Sequence, residues 1–279
     1  MRFPIRCLLS YFLFWLLLLN PGLAQSRISW KNVSILVYTK NGKGYVHDNI
    51  PSAVAAMQKL AQQRGFKINV SDKPEVFTTE NLKKYTLLLF PSTNNDVFDT
   101  DEQRLAFRKY MQAGGGFVGL HSVIGTERNW PWFKMMLGGS FVWHPPFQKL
   151  KIILIDPSQP SAQGLPKVWE KEDECYLMKD LYPGTHTFLA HDLNNLNPSE
   201  GEKIKSVAGP YTSLYPAAWY QKFDGGNIWI TALGHAKTDY QDPLYLRHIW
   251  QGIEYVAGQV HKLDYAKAYA TQHDEAVRY

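Results

Sequence analysis

Gly114-Gly115-Gly116-Phe117-Val118-Gly119-Leu120-His121-Ser122 is the stretch on which the fold turns. Phe117 to Leu120 is a short apolar run of the kind buried on both faces of a parallel sheet. The glycines come before it, so they cannot be the phosphate-cradling loop of a dinucleotide fold, which follows its strand and opens a helix. They read instead as the C-cap of the preceding helix and a tight connection into the strand. That helix has Asp99 or Thr100 available as N-cap and Glu102 placed for a capping box, with Leu105, Phe107, Tyr110 and Met111 as its apolar content.

The same alternation extends upstream. Thr86 to Phe90 reads as a strand stopped by Pro91, Phe66 to Val70 as a short strand, and Val33 to Tyr38 as a buried one. Between the last two, Val54, Met57, Leu60 and Ala61 mark a helix from about Pro51, closed by Gly65. Strand, helix, strand and helix at these spacings predict an α/β fold, a flavodoxin-like open parallel sheet with helices on both faces. Ligands of such sheets lie beyond the carboxyl ends of the strands. Those ends carry Thr39 to Asp48, Pro91 to Asp96, and His121 to Glu127, and the site is expected there.

Downstream, Lys151 to Ile155 and His186 to Ala190 read as strands. Pro216 to Phe223 and Asn227 to Leu233 flank Asp224-Gly225-Gly226 as an added β-hairpin region. Asp242-Pro243 starts a final helix, with Leu246, Ile249, Trp250, Ile253 and Val256 at helical spacing. No repeat or low-complexity linker divides the chain, so one α/β domain is expected over residues 25–260. Residues 261–279 form a polar, tyrosine-rich tail, a last short helix or a frayed end.

At the N-terminus, Arg2 and Arg6 precede an apolar run from Cys7 to Leu19, then Asn20-Pro21-Gly22-Leu23-Ala24. Charge, length and small residues at the cut site predict a signal peptide over 1–24 and an exported chain, periplasmic or secreted. An uncleaved anchor is the alternative, although the run is short of the roughly 20 residues a membrane span needs. The net charge of +5 falls to +3 without Arg2 and Arg6, and no Lys/Arg run tracks phosphates, so a nucleic-acid partner is not expected. Of the two cysteines, Cys7 leaves with the signal, and Cys175 follows Asp173-Glu174, which favours an inert thiol over a catalytic one.

Four histidines stand next to glycine or at a predicted strand end: His47, His121, His144 and His235. Such positions are where a scaffold presents reactive groups. No serine elbow, zincin motif or clustered ligand spacing is present. A divalent metal ion assembled from these dispersed histidines and Glu174 is the candidate cofactor, since imidazole suits transition metals. Sequence spacing leaves open whether the four converge.

These motifs resemble the trehalose-utilisation, ThuA-like, family. The matching pieces are Thr39-Lys40 through His47-Asp48, Gly114 to His121-Ser122, Gly138-Gly139-x-Phe141-x-x-His144-Pro145, Asp173-Glu174-x-Tyr176, Pro216-x-x-Trp219 and Leu233-Gly234-His235. They run in family order from residue 33 to about 258. The resemblance implies a class I glutamine-amidotransferase-like fold, whose cysteine nucleophile would fall at His121. Imidazole cannot replace a thiolate in acyl transfer, so amidotransferase chemistry is not expected. Ser122 is read as a hydrogen-bonding residue.

The resemblance further implies carbohydrate metabolism beside oxidoreductases that make 3-keto sugars. A ketone at C3 acidifies the C2 proton, so a base can remove it and the C1 substituent can leave, or the proton can return and epimerise the carbon. A lyase, hydrolase-like or isomerase outcome needs a base, an acid and donors or a cation on the enolate. On this reading His121 or His144 lies near the enolate or a metal, and Glu174 and His235 are base and acid. Lys40, His47, Ser122, Tyr176, Trp143 and Trp219 are substrate or relay contacts, whereas Trp130 and Trp132 are core. The partners are a small-molecule carbohydrate and a sugar oxidoreductase. The alternatives are a non-catalytic sugar-binding or accessory protein, and a scaffold subunit of the oxidoreductase.

Overall fold

The computed structural model describes residues 28–278, so the signal-peptide reading and Cys7 lie outside the described residues. The chain order is β1 (Ser34–Tyr38), α1 (Ile50–Arg64), β2 (Lys67–Ser71), α2 (Thr79–Leu82), β3 (Leu87–Pro91), α3 (Asp101–Gln112), β4 (Gly116–Leu120), α4 (Pro131–Leu137), β5 (Ser140–Trp143) and β6 (Gln148–Leu154). It continues with β7 (Val168–Asp173), β8 (Leu177–Lys179), β9 (His186–Asp192), α5 (Gly201–Val207), β10 (Leu214–Phe223), β11 (Gly226–Thr231) and α6 (Pro243–Gln259).

One nine-stranded sheet, ordered β2-β1-β3-β4-β11-β10-β9-β6-β7, forms the spine. Its first five strands are parallel, in the flavodoxin-like order. Alternation along these strands divides the core. Leu36, Tyr38, Leu88, Phe90 and Phe117 face the layer of α3 and α4, with Phe107, Tyr110, Phe133 and Met136. Ile35, Val37, Leu87, Leu89, Val118 and Leu120 face α1 and α6, with Met57, Leu60, Ile249 and Ile253. Both faces are covered, which is why these strands read as continuous apolar runs.

The hairpin expected as an addition is part of the spine. Tight pairing of Phe223 with Gly226 turns β10 antiparallel to β11, while β11 itself pairs parallel with β4 and supplies the fifth strand. From β10 outward each neighbour reverses: β10 with β9, β9 with β6, β6 with β7. The four reversals between β11 and β7 restore direction, so β7 ends at the same edge of the sheet as β4 and β11. β5, β7 and β8 are strands that the sequence pattern does not predict. β7 is a charged edge strand, Val-Trp-Glu-Lys-Glu-Asp, whose polarity hides the pattern.

Smaller corrections follow the local chemistry. Thr100, not Asp99, caps α3, and its reciprocal partner is Gln103 rather than Glu102. Pro91 ends β3 from inside, paired with Leu120. Gly65 and Gly114 adopt left-handed backbone after α1 and α3, as their capping roles predict. The tail is docked: Ala270 is buried, and Arg108, fully enclosed, donates to the carbonyls of His273 at 3.0 Å, Ala276 at 3.4 Å and Glu275, and to Asp224 at 3.2 Å. Among the described residues no helix is long and apolar enough to cross a membrane.

Candidate active site

Three strand ends and one edge strand converge. His121 is the first residue after β4, held at φ 52° in a sharp left-handed turn that a non-glycine residue adopts only under constraint. His47 stands in the loop after β1, His235 in the loop after β11, and Glu174 directly after β7. One ligand atom from each of His47, His121, Glu174 and His235 lies within 4.8 Å of the others.

The imidazoles are aimed from behind. His121 Nδ1 is 3.1 Å from the Ala232 carbonyl, so Nδ1 carries the proton and Nε2 faces the cluster bare. The Ser122 hydroxyl lies 3.0 Å from His47 Nδ1 and 3.2 Å from the Thr93 carbonyl. The other ring nitrogen, His47 Nε2, is 3.2 Å from the Tyr176 hydroxyl. Burial, followed by the neighbouring imidazoles, lowers the pKa of His47 to about 3. Burial lowers that of His121 to about 4 against the pull of Asp173 and Glu174.

Glu174 and His235 behave oppositely. The His235 Nδ1 atom is 3.0 Å from Glu174 Oε2 and 3.2 Å from His121 Nε2, and its hydrogen bond to Glu174 raises the His235 pKa. Burial pushes the Glu174 carboxyl up, yet the hydrogen bond from His235 and the charges of His121 and His144 bring it below its usual value. Even so, Glu174 Oε2 is buried without a hydrogen bond of good geometry, despite lying 3.0 Å from one imidazole and 3.6 Å from another. A buried carboxylate oxygen short of donors, beside the bare Nε2 of His121, fits a cation. Three imidazoles and one carboxylate are a donor set suited to zinc and related divalent metals.

Asp173, quoted in the sequence motif but given no role there, sets the loop. Fully buried, it accepts the N–H groups of Gly234 at 2.8 Å, Glu174 at 2.9 Å and His235 at 3.2 Å, and pairs with Lys171 at 3.1 Å. Burial pushes its pKa up, but the Lys171 ammonium, His121 and these N–H donors bring it below the usual carboxylate value. Asn49, which no sequence signal marked, donates its amide to the carbonyls of Gly234 at 2.8 Å and His235 at 3.0 Å. Gly234 holds φ 107°, and a Cβ there would overlap the Tyr245 hydroxyl.

The remaining candidates divide. His144 Nδ1 is 3.6 Å from Glu174 Oε1, and its ring stacks on Tyr176 at 5.1 Å, so it borders the cluster on the open side. Tyr176 is buried against His121 at 4.6 Å, and burial followed by Glu174 keeps its phenol protonated. Trp143 is half-buried with the Lys203 ammonium 4.1 Å over its ring. Lys40 is engaged by Asp99. Trp219 is enclosed and donates to the Leu137 carbonyl at 2.9 Å, so it has no open face for a sugar and is packing. Trp130 and Trp132 are core, as read from sequence. Cys175 is enclosed, and burial, then Asp173, raises its thiol pKa.

The family model ThuA, described as trehalose utilisation, matches residues 34–256. A ThuA-like protein from Bacteroides uniformis superposes with a TM-score of 0.65 at 22% identity, over 81% of this chain and 91% of that one. A ThuA-like protein from Parabacteroides merdae gives 0.62 at 18%, over 81% and 90%. A cytoplasmic protein of Salmonella typhimurium gives 0.54 at 10%, over 80% and 99%. At these identities the likeness is one of fold. Comparison with curated proteins finds no match.

Proposed function

The chain belongs to the ThuA, trehalose utilisation, family, and from that premise we propose that it is an exported protein acting on a keto-sugar or keto-glycoside by proton abstraction beside the ketone. The observation that carries the reading is the convergence of His47, His121, Glu174 and His235 within 4.8 Å around an oxygen of Glu174 short of donors.

A divalent cation held by these four residues would polarise a sugar carbonyl and stabilise an enolate. The chain's own groups supply the rest. His144, beside the cluster and part-exposed, is placed to take the C2 proton as its C–H electrons form the enolate. Tyr176 keeps its proton and offers an O–H to a developing oxyanion or to the departing C1 oxygen. If the enolate oxygen re-forms the C3 carbonyl and the C2=C3 electrons move into a C1=C2 bond, the C1–O bond breaks and the leaving oxygen takes a proton; if C2 is instead reprotonated on its opposite face, the product is the epimer. His121 at the turn where this fold class places a cysteine, together with the enclosed Cys175, argues against thiol chemistry. An oxidoreductase must first install the ketone.

Proton NMR of the mature chain with a 3-keto-glucoside in deuterated water, with and without chelator, tests the reading. Loss of the C2 proton signal, abolished by chelator and by His144→Ala, is expected. A spectrum unchanged beyond the uncatalysed rate overturns catalysis on that substrate and favours a sugar-binding accessory protein.

A further inference from the structure

Two exposed aromatic rings flank the histidine cluster. Tyr45 is 63% exposed, and its ring meets His47 edge-on at 4.8 Å. Phe147 is 45% exposed, and its ring lies 5.6 Å from that of His235. Val46 is exposed beside Tyr45, so these two loops carry three of the eight large exposed apolar residues among those described. An apolar cluster beside a polar centre is what a ring-binding wall requires, and water alone gives no reason to gather it there.

Both rings stand on fixed backbone. Gly42 donates to the Asn94 carbonyl at 2.9 Å and lies so close to Asp96 that a Cβ would overlap its backbone, which pins the loop before Tyr45. Phe147 follows Pro145-Pro146, whose φ angles are locked, and directly precedes β6. Rings held this way lose little freedom when a ligand stacks on them.

We infer that Tyr45 and Phe147 form a subsite for a second ring, the aglycone of a glycoside whose sugar occupies the His/Glu centre. The inference rests on the proposed function for the sugar's position and adds a substrate class: glycosides with a cyclic leaving group, sugar or aryl, over free monosaccharides and methyl glycosides. Tyr45 and Phe147 are specificity residues here, taking no proton.

Calorimetric titration of the zinc-loaded protein with methyl glucoside, phenyl glucoside and a glucosyl disaccharide, in both anomers, tests it. The ring-bearing ligands of one anomer should bind about tenfold tighter than the methyl glucoside. Tyr45→Ala with Phe147→Ala should cut that advantage below about threefold, and Tyr45→Phe should keep it. A phenyl-only advantage assigns the wall to aryl aglycones, and one shared by the disaccharide assigns it to either ring. Equal affinity for all ligands, no binding of any, or an advantage that survives the double alanine variant overturns the inference. None of these ligands needs a ketone, so preference without proton exchange would sink the keto-sugar reading alone, and exchange without preference would sink only the subsite.

Discussion

Asp173 and His235 are bonded through the backbone: Asp173 Oδ1 accepts the His235 N–H at 3.2 Å while Oδ2 accepts that of Gly234 at 2.8 Å. One buried carboxylate thus fixes the loop of one ligand and, through the Glu174 N–H at 2.9 Å, the start of another. Asp173→Asn places an amide donor against N–H groups and leaves Lys171 with the Asp239 carboxylate and the Glu172 carbonyl. We expect a loss of about 2–4 kcal/mol of stability and a fall in zinc affinity of about 10- to 100-fold. Thermal unfolding and calorimetric zinc titration measure these, and affinity matching the parent would remove Asp173 from any positioning role.

The metal-free protein should lose stability as pH falls from about 6.5 toward 4. Burial, the largest cause for each, lowers the pKa of His47 and His248 to about 3 and of His121 and His191 to about 4. The unfolded chain binds protons at these four below about pH 6.5 while the folded chain does not, so each costs up to about 1.4 kcal/mol per pH unit. His235, with its raised pKa, works the other way: its contribution is present below about 6.5 and lost as pH rises through its folded pKa, so it offsets part of the slope. Urea midpoints in chelator at pH 7, 6 and 5 should fall in that order. A midpoint rising toward pH 5 would contradict the burial argument.

Removing residues 271–279 should unfold more than the tail. Arg108 and Trp130 both donate to the His273 carbonyl, at 3.0 Å each, and Arg108 also reaches Glu275 and Ala276. Without these acceptors an enclosed guanidinium keeps only Asp224. Truncation should cost about 3 kcal/mol or more, lowering Tm by about 6–12 °C for a chain this size. A Tm within a degree of the parent would show the tail to be dispensable.

Cys175 should resist thiol reagents in the native state. It is enclosed, and burial raises its pKa, so the thiolate that reacts is scarce. Labelling with an aromatic disulfide should be at least about 100-fold slower than in denaturant. Native labelling at the denatured rate would require an opening of the core beneath the site.

The legible part of the molecule is the part with strong local periodicity. β1, β3 and β4 are apolar runs because both their faces are covered, and α1, α3 and α6 carry one-sided apolar stripes and recognisable caps. His47, His121, Glu174 and His235 were readable as candidates because each sits where a motif or a strand ends. Trp219 misled, since a tryptophan in a motif looks the same whether it stacks on a ligand or fills the core. Asn49, Tyr45 and Phe147 carry no local pattern, because what they do depends on partners 88 to 186 residues away or on being left uncovered.

By itself, the sequence determined the parallel α/β core, the edge of the sheet where the candidate site lies and the inert setting of Cys175. Burial and chain direction are local consequences of residue type and spacing. Only the tertiary structure decided that Glu174 reaches the histidines. β7 has no apolar signature, and its direction follows from the strand reversals that separate it from β11 across the sheet. The tautomer of His121 was likewise settled in space, by a carbonyl at the end of another strand.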